Sequence, residues 1–333
     1  MIIENSFTKL IGNTPLVKLN KASKITKCNI YGKAEFLNPG QSVKDRAALY
    51  IIKDAIKSKK LKKNGIIVEG TAGNTGIGLT LVGNSFGFKS EIVMPKTQSQ
   101  EKKNELKTYG AKLTLVPAVP YSNPKNYVRY SETLANEIRK KTNKTVFWAN
   151  QFDNLANFQA HYSTTGPEIW KDIKGKIDGF ICSVGTGGTI AGVGAFLKKR
   201  NKKICIGLVD PMGSALHNYY STGTLKSKGS SITEGIGQSR ITENLKKAPI
   251  DISFDARDAD ALRIVFDLLE EEGLIMGGST GINIIGAMKL AKKLGPGATI
   301  VTILCDYGTR YFSKVYNKKF LKSKKLPIPK WIK

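Results

Sequence analysis

Histidine is almost missing from this chain: His161 and His217 are the only two in 333 residues. The four cysteines, Cys28, Cys182, Cys205 and Cys305, are widely separated, and no pair has metal-ligand spacing. A zinc site is therefore not expected. Three of the thiols fall inside apolar, strand-like runs and read as reduced, buried cysteines of a cytoplasmic protein. No run of about eighteen apolar residues occurs, so no membrane-spanning helix is expected. The start, Met1-Ile2-Ile3-Glu4-Asn5-Ser6, shows neither the basic nor the apolar region of a signal peptide. Acidic residues are scarce as well, 26 against 53 basic ones, for a formal charge of +27. Such an excess is one mark of a nucleic-acid surface. Only eight of the basic residues are arginine, the type suited to bidentate base and phosphate contacts. The lysines are scattered along helix faces, so the excess reads as a solvated surface that attracts acidic small molecules. No nucleic-acid partner and no membrane partner is expected.

What is present is a soluble α/β pattern long enough for two domains. Strands are expected over 29–35, 66–69, 91–94, 112–116, 146–150, 179–184, 203–209 and 298–305. Helices are expected from Lys44 to about residue 58, from about 76 to 85, and over 99–109, 127–142 and 154–173. Further helices follow over 189–200, 259–272 and 281–294. This alternation argues for mostly parallel sheets flanked by helices. Gly166-Pro167 is expected to break or kink the helix over 154–173. Residues 213–240 are polar, without clear period, and too long for an idle connection, so they are expected to contribute to a site. The basic stretch 314–333 is expected to lie along the surface.

Three stretches carry chemistry. In Asn38-Pro39-Gly40-Gln41-Ser42-Val43-Lys44-Asp45-Arg46, a Pro-Gly turn delivers Lys44 to the start of an apolar helix. The helix dipole there disfavours the ammonium form, and a neutral lysine amine condenses with aldehydes. The plain alternative is a lysine that snorkels to solvent. In Glu69-Gly70-Thr71-Ala72-Gly73-Asn74-Thr75-Gly76, a strand passes through a donor-rich loop into a helix. That is a place for an anion such as a carboxylate, or simply a capped turn. In Ser183-Val184-Gly185-Thr186-Gly187-Gly188-Thr189, another strand enters a glycine loop whose N–H groups can ring a phosphate. It lacks the Gly-Lys-Ser/Thr ending of a nucleoside-triphosphate loop. An aldehyde-reactive lysine, a phosphate cradle and a carboxylate loop together suit pyridoxal 5'-phosphate with an amino-acid substrate.

On these stretches the chain resembles the cysteine synthase (O-acetylserine sulfhydrylase) and cystathionine β-synthase family of fold-type-II pyridoxal-phosphate enzymes. The likeness begins at Ile11-Gly12-Asn13-Thr14-Pro15-Leu16. It takes in Asn150-Gln151-Phe152-Asp153-Asn154, His161-Tyr162, Thr164 to Trp170 and Glu234-Gly235-Ile236-Gly237, and runs to about Tyr311. The resemblance implies two interleaved domains, each a mostly parallel sheet flanked by helices. Residues 46–154 would form the smaller, substrate-loop domain, and 1–45 with 155–313 the larger, phosphate-binding one. Lys44 would hold the cofactor and take the substrate α-proton. Asn74 would bond the ring hydroxyl, Gly185, Thr186, Gly187, Gly188 and Thr189 the phosphate, and Ser279 the pyridine nitrogen. Thr71, Gly73, Asn74, Thr75, Gln151 and Gly235 would hold the substrate. The implied reaction replaces the acetate of O-acetylserine by sulfide to give cysteine; serine with homocysteine is the rival pairing, and serine or threonine dehydration a third. A catalytically idle relative or a basic nucleic-acid binder would be the readings from another class. A homodimer is implied, and a serine acetyltransferase C-terminal peptide is the implied partner. The chain departs from the family pattern in three places: Gln41 for glycine, Ala72 for serine, and Gln238-Ser239-Arg240-Ile241 for Gly-Phe-Ile-Pro after Gly237.

Overall fold

The protein is described over residues 6–332 by a computed structural model. Residues 1–5, on which the expectation about a signal peptide falls, and Lys333 lie outside the described residues.

The chain opens with β1 (Leu16–Lys18), α1 (Asn20–Thr26) and β2 (Asn29–Ala34), and the Lys44 turn leads into α2 (Lys44–Lys57). Then come β3 (Ile66–Gly70), α3 (Asn74–Ser85), β4 (Lys89–Pro95), α4 (Gln100–Thr108), β5 (Lys112–Val116), α5 (Tyr127–Lys141) and β6 (Val146–Trp148). The second half begins with α6 (Ala156–Ala160) and α7 (Gly166–Asp172), joined by a π-helical turn over His161–Thr165. It continues through β7 (Gly179–Cys182), α8 (Gly188–Arg200), β8 (Cys205–Pro211), α9 (Leu216–Thr222) and β9 (Ile252–Ala256). It ends with α10 (Asp258–Glu272), α11 (Gly278–Leu294), β10 (Thr299–Leu304) and α12 (Lys318–Ser323).

The strands form two sheets, one ordered β1-β2-β10-β7-β8-β9 and the other β5-β4-β3-β6. Every pairing is parallel except β1 with β2. Parallel strands covered by helices on both faces must be apolar along their length, which is why Ile206, Leu208, Val301 and Ile303 are all buried. In both sheets the loops at the carboxyl ends of the strands converge, where α/β folds place their ligands.

The structure departs from the sequence expectation in several places. At Gly166-Pro167 the expected interruption takes the form of a π turn: the N–H of Gly166 reaches back to the carbonyl of His161, and α7 follows directly. Proline removes one N–H and crowds the preceding turn, and a π turn relieves both problems locally. Gly166 serves packing, since a Cβ there would lie 2.9 Å from Cβ of Phe196. Five short elements, β1, α1, α9, β9 and α12, have no expected counterpart. The terminal stretch is not merely superficial: Val315 and Leu321 are buried beside Leu262, Val265 and Phe266 of α10, and Trp331 stacks edge-on against Phe266 at 5.9 Å. Of the thiols, Cys28 and Cys182 are buried, whereas Cys205 and Cys305 are only partly so.

Candidate active site

Three consecutive side chains at the start of α2 point three ways. Lys44 faces a cavity of about 580 Å³. Asp45 turns back to accept the N–H of Gly40 at 2.5 Å, and burial pushes its carboxyl up to about 7. Arg46 enters a buried ionic cluster, bonded to Glu35 at 2.7 Å and to Glu168 at 2.6 Å. The turn that delivers Lys44 is thus held from both sides. Its Gln41 sits at φ +58°, a left-handed conformation that favours glycine. The departure at that position therefore carries backbone strain.

The same cavity is lined by Thr71, Gly73, Asn74, Thr75, Gln151, Gly185, Thr186, Gly235 and Ser279. Gly187 and Thr189 line a small adjoining cavity that Lys44, Gly185 and Thr186 share. Gly188 stands behind the loop, where a Cβ would lie 2.2 Å from Oδ1 of Asn157.

The 69–76 loop ends at the N-terminus of α3. The N–H groups of Ala72, Asn74 and Thr75 have no acceptor among the described residues, so they remain available to an anion. Gln151 is occupied. Its Nε2 donates to Glu69 at 3.0 Å and to the carbonyl of Gly70 at 3.1 Å, while its Oε1 accepts from the Thr75 hydroxyl at 2.5 Å. It enters the site as the support of Thr75, with no N–H to spare. Burial raises the Glu69 carboxyl to about 8, so this support is neutral at ordinary pH.

The 183–189 loop leads into α8 with Gly187 at φ +87°. The N–H groups of Gly185, Thr186 and Gly187 have no acceptor among the described residues, and the Ser183 hydroxyl is buried without a partner. Gly185 admits no side chain, because a Cβ would lie 2.3 Å from the carbonyl oxygen of Gly235. Behind the loop, His161 contacts Thr189 at 3.2 Å and Thr165 at 2.9 Å. Burial, then Arg46 and Lys44, hold its pKa well below the ordinary value, so the ring is neutral.

Ser279 lies in the first turn of α11, buried, yet no side-chain cap bond forms at that helix start. Its hydroxyl neighbours the Cys305 thiol, which burial and then Asp306 push up to about 11.

Sequence reasoning passed over several site residues. Lys102 of α4, whose Cδ a Cβ on Gly73 would meet at 2.5 Å, donates to Glu234 at 2.8 Å and to the Tyr311 hydroxyl at 2.9 Å. Lys314 holds the other Glu234 oxygen at 2.5 Å. Burial works to raise Glu234, but the two lysines outweigh it and hold the carboxyl below its usual range. Asp306 and Arg310 flank Asn74. The available signal was the strand running into Cys305-Asp306-Tyr307-Gly308, a polar break at the carboxyl end of a parallel strand. Arg240, at a position departing from the family pattern, forks onto Asp153 at 3.2 and 3.1 Å and covers Tyr121 at 4.5 Å.

Residues 7–306 match the family described as "Pyridoxal-phosphate dependent enzyme". The chain belongs to that family. Among its curated relatives is "Cysteine synthase 1" of Neurospora crassa, 49% identical, matched over 97% of this chain and 86% of that protein. Another is "Cysteine synthase" of Dictyostelium discoideum, 43% identical over 96% of this chain and 86% of that one. Among solved structures, the O-acetylserine dependent cystathionine beta-synthase of Helicobacter pylori superposes with a TM-score of 0.85 at 33% identity, covering 94% of this chain and 99% of the other. The fold is therefore that of a fold-type-II pyridoxal-phosphate enzyme, and the cofactor is pyridoxal 5'-phosphate. The residues present fit that group: a lysine on the cavity wall, a ring of N–H donors without protein acceptors among the described residues at the start of α8, and a buried Ser183 hydroxyl without a partner beside it.

Proposed function

We propose that this enzyme makes L-cysteine from O-acetyl-L-serine and sulfide. The observation that carries the reading is that one cavity joins Lys44, the free N–H groups of Gly185 and Thr186 and those of Ala72, Asn74 and Thr75, with Gly187 in the small cavity adjoining it. The cysteine synthases of N. crassa and D. discoideum, alike over nearly the whole chain, support it. When bound, the cofactor supplies an electron-withdrawing ring that acidifies the substrate α-proton. Lys44 holds the cofactor through its amine and then takes that proton. The N–H groups of Gly185 to Gly187, with the Thr186 and Thr189 hydroxyls and Gly188 behind them, hold the phosphate. Asn74 bonds the ring hydroxyl, and Ser279 faces the pyridine nitrogen. Thr71 and the N–H groups of Ala72, Asn74 and Thr75 hold the substrate carboxylate, with Gly73 turning the loop onto the Thr71 hydroxyl and Gln151 fixing Thr75. Gly235 closes the cavity against Gly185.

The two sheets support a smaller domain over 46–154 and a larger one over 1–45 and 155–313, with the 314–332 segment packed onto the latter. A cytoplasmic homodimer is part of the same reading. A serine acetyltransferase C-terminal peptide, ending in a carboxylate, would compete for the donors of 71–75. The test is a product assay across O-acetylserine, O-phosphoserine and serine, each with sulfide or homocysteine. Cysteine from O-acetylserine and sulfide as the fastest product upholds the reading. Preferential cystathionine formation overturns it in favour of the rival pairing.

A further inference from the structure

We infer that Asp306, with Arg310, is a positioning residue that fixes the orientation of the Asn74 amide toward the cofactor ring. An amide is nearly symmetric in shape and offers a donor on one side and an acceptor on the other. Here the two sides are told apart by opposite charges. Nδ2 of Asn74 donates to Oδ2 of Asp306 at 2.6 Å, and Oδ1 accepts from a guanidinium nitrogen of Arg310 at 3.1 Å. Turning the amide over would set its oxygen against a carboxylate and its N–H groups against a guanidinium. The second N–H of Nδ2 has no acceptor among the described residues, and Asn74 lines the cavity that Lys44 also faces.

Asp306 is itself held in place. It is 1% exposed, it accepts from the Tyr311 hydroxyl at 2.5 Å, and its carbonyl accepts the Gly277 N–H at 3.1 Å. A Cβ on Gly277 would lie 2.3 Å from its Oδ1, so glycine there leaves the carboxylate its room. Arg310 reaches the carbonyl of Gly40 at 2.6 Å, in the turn that delivers Lys44. The pair therefore sets the ring-hydroxyl donor in register with the lysine that holds the ring. This rests on the proposed role of Asn74.

The experiment compares Asn74→Ala, Asp306→Asn and the double variant, each loaded with pyridoxal phosphate. The readouts are the position of the visible absorption band, cofactor retention on dilution, and melting of the cofactor-free protein. Asp306→Asn keeps the shape but presents an amide that no longer distinguishes the two faces of Asn74. It is expected to shift the band in the direction of Asn74→Ala and weaken retention about tenfold, the loss of one charge-assisted bond. The double variant is expected to add nothing to Asn74→Ala. A lower melting point with the parental band and retention would mark Asp306 as merely structural and overturn the inference. If Asn74→Ala itself matches the parent, the reading of Asn74 falls, and this inference with it. If Asp306→Asn does not fold, Arg310→Lys replaces it, with a shifted band expected and an unshifted one contradicting the inference.

Discussion

In the proposed reading Ser279 meets the pyridine nitrogen, and there it separates mechanism from mere cofactor binding. A serine hydroxyl at a pyridine nitrogen shares one hydrogen bond and supplies no charge, unlike a carboxylate, which keeps the ring protonated. A modest electron sink suffices when the leaving group departs readily. Because Ser279 makes no cap bond, replacing it should not undo the start of α11. Ser279→Asp is expected to retain cofactor while turnover falls by roughly tenfold or more, over ~1.4 kcal/mol of transition-state stabilisation. Measured cofactor content and kcat beside the parent check this; full cofactor with unchanged turnover contradicts it. Glu69 gives a pH signature. Its folded pKa, about 8, lies above the ordinary carboxyl value of 4.5. The folded state therefore binds the extra proton, and the associated stability is complete below pH 4.5 and lost as pH rises through about 8. Asp45, raised to about 7, acts in the same sense. Above pH 6.5, the ordinary histidine value, where buried His161 no longer opposes the trend, chemical unfolding is expected to show stability falling by on the order of 2–4 kcal/mol as pH becomes mildly alkaline. Glu69→Gln should flatten that slope, and an equal slope in both proteins would contradict the assignment.

At the scale of elements, long periodic segments were legible and short ones were not. The helix over 127–142 was legible in type and extent, although its expected apolar face, Tyr130, Leu134 and Ile138, is half-buried while Val128, Ser131 and Ala135 are the buried residues of α5. By contrast β1 has three residues and α9 seven, lengths at which tertiary pairing decides conformation and periodicity carries no signal. The loops with chemistry were legible because glycine and hydroxyl residues cluster between a strand and a helix. Their bracing was not, because it joins residues far apart in sequence. Lys102 reaches Glu234, which Lys314 holds from the other side. This buried ion pair ties α4, beneath Gly73, to the segment that carries Gly235. Glu234→Gln is expected to raise KM for the amino-acid substrate about tenfold with the cofactor band unchanged, since it loosens the walls and leaves Lys44 alone. Steady-state kinetics check it; unchanged KM would show that the bracing does not govern substrate binding.

For the whole molecule, the alternation of strands and helices announced parallel sheets, and two are found. What the pattern could not announce is how the chain threads between them: β2 and β10 pair across some of the longest separations in the chain, with Ala34 beside Leu304. The terminal segment was misjudged for a related reason. Its lysines dominate its composition, while Val315 and Leu321 fill a gap against α10 that only the folded molecule contains. Everything in the functional account turns on Lys44, delivered by the 38–43 turn and held by Asp45 and Arg46. The most direct measurement is borohydride reduction of the cofactor-loaded enzyme followed by peptide mapping. The pyridoxyl label is expected on Lys44, and Lys44→Ala is expected to take none. A label on any other lysine, or a Lys44→Ala protein labelled as fully as the parent, would contradict the account.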